Sequence, residues 1–95
     1  MSFRADSIPR RREGADGQRF GEDFVVLDPD GHMLRGLNET ASRVWELVDG
    51  RRTARDIASV VASEYGVDVE RVLGDCLSFL ERLLGQGLLD AEVHR

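Results

Sequence analysis

The sequence predicts an α+β domain with strands first and helices after, because the spacing of its apolar residues changes once along the chain. Residues 23–37 hold two short β-forming runs around an Asp-Pro-Asp-Gly reversal, whereas from Asn38 onward apolar residues recur at helical intervals. Ninety-five residues bury one modest core, so both patterns must share it.

Residues 1–22 are polar, rich in glycine and arginine and without clear period. They read as a loose arm, with at most a short strand around Ser7–Arg12, and residues 23–95 read as the folded domain. Asp23–Leu27 is a β-forming run ended by Asp28-Pro29-Asp30-Gly31, whose residues favour a tight reversal. His32–Leu37 returns as its partner, with Met33, Arg35 and Leu37 opposite to His32, Leu34 and Gly36. Such a hairpin is marginal alone and needs helices or a third strand behind it.

Asn38 caps a first helix running to about Val48, with Val44, Trp45 and Val48 on one side and Asp49-Gly50 as its stop. Thr53 caps a second, and Asp56 three residues on completes a capping-box-like pattern. Its apolar face is Ile57, Val60, Val61 and Tyr65, and Gly66 closes it. Asp68 caps the third and longest helix, about Val69–Gln86, before Gly87 and a short apolar tail at Leu88-Leu89.

The charge is uneven. Residues 1–22 carry a net +1 and residues 23–95 a net −6, and every Lys/Arg position is an arginine. An acidic body disfavours a phosphate backbone and suits a partner with basic or apolar side chains. The amino-terminal residues lack the apolar stretch of a secretory signal, no run approaches the ~20 residues of a membrane span, and a lone cysteine cannot form an internal disulfide. The expectation is a cytoplasmic protein that binds neither nucleic acid nor membrane.

Catalytic signals are thin. There are two histidines, His32 in the hairpin and His94 at the end, and no metalloprotease, nucleophile-elbow, CxxC or phosphate-loop motif. Cys76 falls inside an apolar helical stripe and reads as a small core residue, and His32 as a solvated turn residue. No enzyme activity, metal or cofactor is expected.

The third helix carries the most informative pattern. At about 100° per residue, Val69, Leu73, Cys76, Leu80 and Leu83 cluster in one direction, with Leu77 and Leu84 on one flank and Val72 and Phe79 on the other. This arc of roughly 160° exceeds the ~100° stripe a surface helix needs. Two readings stay open: the helix is sandwiched between the other helices and the hairpin, or the Val72–Cys76–Phe79 edge lines an open groove. The outer strand His32–Leu37 offers a related opportunity, since an unpaired strand edge captures extended peptides and Gly36 permits close backbone approach.

One ordered set of short motifs resembles the PqqD-like family. It runs Leu37-Asn38-Glu39-Thr40-Ala41, then Asp49-Gly50-Arg51-Arg52-Thr53, Ile57, Glu64-Tyr65-Gly66-Val67-Asp68, Asp75-Cys76-Leu77-Ser78-Phe79-Leu80 and the closing Gly87-Leu88-Leu89. The likeness covers roughly Phe24–Leu89. Cys76 departs from the aliphatic residue usual there, and the hairpin lacks the Gly-Arg-Tyr-aromatic run of lasso-pathway members. The resemblance therefore implies the family and no particular pathway.

What it implies is a winged-helix-like fold, a three-stranded antiparallel sheet on three helices, that recognises the leader of a ribosomally made precursor peptide and delivers it to a modifying enzyme such as a radical SAM enzyme or a peptidase. The leader would add as a strand along His32, Met33, Leu34, Arg35, Gly36 and Leu37, against Val72, Asp75, Cys76, Phe79 and Leu83 of the third helix. An adaptor that binds the enzyme without a leader is the main alternative. A DNA-reading winged helix is the weaker one, because the third helix turns Glu70, Arg71, Asp75, Ser78, Glu81 and Arg82 outward, an acid-rich set. A monomer and a homodimer both remain open.

Overall fold

A computed structural model describes residues 3–90. Three strands, β1 (Asp16–Phe20), β2 (Asp23–Leu27) and β3 (Met33–Leu34), precede three helices, α1 (Glu39–Leu47), α2 (Ala54–Tyr65) and α3 (Val69–Gly85). The sheet is antiparallel in the order β1-β2-β3, so the three-strand, three-helix expectation holds.

The helices form where their signals lie. Asn38 accepts from the Ala41 N–H, Thr53 and Asp56 complete a reciprocal capping box, and Asp68 accepts from Arg71. Gly66 ends α2 at φ +67°, in the left-handed region that glycine enters without strain. Leu73, Leu80 and Leu83 of α3 meet Ile57, Ala58 and Val61 of α2, and Val44, Trp45 and Val48 complete the cluster. Each such aliphatic side chain contributes about 1.5–3 kcal/mol over exposure.

The amino-terminal segment differs from the expected loose arm, and the first strand is not at Ser7–Arg12. Phe3 and Ser7 are fully buried, and the carbonyls of Ala5 and Ser7 accept from Arg55 and Ala54, the first donors of α2. Arg11 instead bridges Leu89, with the Arg10 carbonyl accepting from Asp90 and the Arg12 N–H donating to Leu88. The strap thus closes the α2 start and the chain's described end together. Because Phe3 belongs to the core cluster, no structural boundary falls at residue 22.

Arg11 also stacks over the Trp45 ring at 4.6 Å and donates to the Trp45 carbonyl at 2.7 Å, capping the end of α1. β1 also sits so close to the ring that a Cβ on Gly17 would lie 2.9 Å from Trp45 Cδ1 and 2.5 Å from the Phe24 ring. Phe20 pairs with Asp23 across a two-residue loop whose first residue, Gly21, has φ +62°.

β3 is shorter than the expected His32–Leu37. Val26 faces Leu34, yet Leu37 donates to the Phe24 carbonyl, one residue out of step. Gly36 at φ +71° absorbs the extra residue as a bulge. The bulge resets the side-chain phase: Leu34 packs on the core and Met33 faces out, while Leu37 is buried rather than sharing Met33's side.

Candidate functional site

A groove of about 690 Å³ runs between α1 and α3, within the range typical of ligand sites. α1 contributes Thr40, Ala41 and Val44, with Asn38 at its cap, and α3 contributes Arg71, Val72, Asp75, Cys76, Ser78, Phe79 and Arg82. Val61, Val67 and Asp68 close one end. The small side chains of α1 leave the room: Thr40 and Ala41 line it opposite Val72, Cys76 and Phe79.

Of the residues selected from sequence, Val72, Asp75, Cys76 and Phe79 line this groove together. Leu83 does not: its side chain is fully buried in the core. His32, Met33, Leu34, Arg35, Gly36 and Leu37 are not part of its walls. They form the edge strand, the bulge and the lead-in to Asn38, where the groove begins. Thr40, Ala41 and Val44 went unrecognised as a wall because helical spacing marks the side of α1 that packs, and two of these three are too small or polar to register on it.

The two titratable side chains of chemical interest are both committed to structure. Burial pushes the Cys76 thiol up to about 12, so it is a neutral contact at neutral pH. His32 is not a solvated turn residue: its Nδ1 lies 2.8 Å from Asp28 Oδ2, and its backbone N–H and that of Asp30 donate to Asp28 Oδ1. Burial raises the Asp28 pKa, but the hydrogen bonds and charge of His32 outweigh it, and the carboxyl sits below its ordinary value. Asp28, Asp30 and His32 lie close enough to ligate a cation together, yet the Arg12 guanidinium, 3.9 Å from both carboxylates, already supplies positive charge there. The cluster clips the hairpin reversal to the strap. His94 lies outside the described residues.

Comparison with known proteins gives the lineage. The profile of "Coenzyme PQQ synthesis protein D (PqqD)" matches residues 23–89. The chain belongs to the PqqD family. A "PqqA binding protein" of Pseudomonas aeruginosa is 40% identical over 80 residues, covering 80% of this chain and 82% of that protein. Its counterpart in Klebsiella pneumoniae is 40% identical over 62 residues, 63% of this chain, so the match spans 62% of that relative's length.

Among solved structures, the PqqD part of Methylobacterium extorquens PqqCD, described as a stand-alone recognition element for ribosomally synthesised and modified peptides, superposes with a TM-score of 0.77 at 30% identity. That match covers 94% of this chain and 95% of that one. TbiB1 in complex with the TbiA(beta) leader peptide shares the fold at a TM-score of 0.70 and 24% identity, over 85% of this chain and 94% of that one. No helix among the described residues is long and apolar enough to cross a membrane.

Proposed function

We propose that this chain is a non-catalytic recognition element that holds the leader of a ribosomally made precursor peptide and presents it to a modifying enzyme in the cytoplasm. The observation that carries the reading is the groove: its lining of Val72, Cys76 and Phe79 reaches Asn38, the residue that follows the edge strand and its bulge, in a member of a family with relatives named PqqA binding protein. β3 has a neighbour on one side only, and an extended peptide adds to such an edge by main-chain hydrogen bonds while its alternate side chains enter the adjacent groove.

Magnitudes are consistent with this. Each main-chain bond contributes ~1 kcal/mol net and each buried apolar leader side chain ~1.5–3 kcal/mol, set against the cost of ordering the peptide. Half-buried Val72 offers apolar surface for a leader side chain to cover, while Cys76 and Phe79, 2% and 7% exposed, pack beneath it in the core rather than act as reactive groups. The modifying enzyme, a radical SAM enzyme or a peptidase, would engage the loaded complex, and the same open edge allows a second copy to pair when no leader is bound.

Calorimetry with the leader of the precursor encoded beside the gene tests this reading. Ser78→Trp fills the groove from an exposed position and should weaken binding at least tenfold without lowering the unfolding midpoint. Phe20→Ala, at the exposed hairpin tip, should bind as the unaltered chain does. Unchanged affinity in a folded Ser78→Trp protein would place the peptide elsewhere.

A further inference from the structure

The charges along the groove rim differ in their pairing from those elsewhere on the helices. Among the described residues four arginines lie on helices, and they divide sharply. Arg43 of α1 forks onto Glu64 at 2.8 and 2.7 Å and also reaches Glu46, and Arg55 of α2 pairs with Glu70 at 2.9 Å. Arg71 and Arg82 of α3 both line the groove, and neither has an ion-pair partner among the described residues. Asp75 lies between them on the same wall and is equally unpaired, although Arg71 is four residues away on its own helix. An arginine placed before the acid is the weaker order for such a pair, which leaves both charges available.

Resting on the leader reading above, we infer that the groove takes leaders bearing two acidic residues about five positions apart, flanking the apolar anchors, with no acid between them. Arg71, Asp75, Ser78 and Arg82 follow one another at intervals of four, three and four residues, a single stripe beside the Val72–Phe79 floor. At 1.5 Å per residue, Arg71 and Arg82 stand about 16 Å apart along the axis, which an extended peptide at 3.3 Å per residue spans in about five residues. The guanidiniums offer forked donors to a carboxylate. Asp75 repels an acid placed at the centre, so the rim selects by repulsion as well as by attraction. The mixed signs explain how a protein of net charge −5 can still prefer acids at two positions of a peptide.

The test is a selection from a displayed library of random twelve-residue peptides on the full chain, followed by affinity measurement of the winners on variants. Peptides that lose affinity in Ser78→Trp should carry Asp or Glu at two positions four to six apart. Arg71→Glu/Arg82→Glu, both exposed and joined to the caps through backbone atoms alone, should weaken those peptides about tenfold at low salt, less as salt rises, and should select Lys or Arg at the same positions. Groove-dependent winners with no acidic preference, or a preference untouched by the double reversal, would overturn the charge rule and leave leader binding intact. An absence of any groove-dependent winner would overturn both.

Discussion

The two flanks of α3 have opposite fates. One, with Leu73, Leu80 and Leu83, is closed by α2 and by Leu88 and Leu89, and its neighbouring surface charges on Glu70 and Glu81 are bonded to Arg55 and to the Phe3 N–H. The other, with Val72, Cys76 and Phe79, faces small side chains of α1 across a groove, and its charges on Arg71, Asp75 and Arg82 have no ion-pair partner among the described residues. The same helix thus builds the core on one side and keeps unspent interactions on the other. That division separates the buried leucines, whose loss unfolds the protein, from Val72, Arg71, Asp75 and Arg82, whose loss should affect binding alone.

The largest expected effect is on the closed flank. Leu80 is fully buried, so Leu80→Ala should cost about 2–5 kcal/mol in urea denaturation, with lost binding following lost fold. Gly17→Val should come next, at about 1–3 kcal/mol, because a side chain there meets Phe24 and Trp45 with nowhere to go. On the open flank, Val72→Asp should leave the urea midpoint nearly unchanged and still weaken the leader at least tenfold, since the half-buried side chain lines the groove. A stability loss as large as that of Leu80→Ala would erase the distinction between the flanks.

The smallest effect is electrostatic. The folded Asp28 pKa lies below its ordinary 3.8, so the clip stabilises fully above 3.8 and is lost as pH falls through the folded value. Between about pH 5 and about pH 2, Asp28→Asn should therefore lose less stability than the unaltered chain. Equal acid sensitivity would mean that the Asp28–His32 bond contributes nothing.

Legibility from sequence followed the same physics. α2 could be read from Thr53, Asp56 and Gly66 because capping is local, and the wide arc of α3 was visible because helical period is local. β1 was missed because Asp16-Gly17-Gln18-Arg19-Phe20 has almost no apolar content; its place is set by a glycine fitting under Phe24 and Trp45. The one available clue was Gly21-Glu22 as a two-residue loop. The strap was invisible because it docks largely through backbone carbonyls, which carry no residue signature. In the groove, the α3 wall was readable from its own stripe. The α1 wall depended on how far Thr40 and Ala41 stand from it, which only the packed fold determines, and Leu83, which shares the direction of Val72 and Cys76 by helical period, is covered by the core one turn further on.

The most direct test of the central claim is a backbone amide titration of the isotope-labelled chain with the leader of the neighbouring precursor. The account predicts shifts concentrated in Met33–Val44 and Val67–Arg82, with β1 and the strap unmoved. Shifts confined to β1 and the strap, or spread evenly with no maximum along the groove, would contradict it.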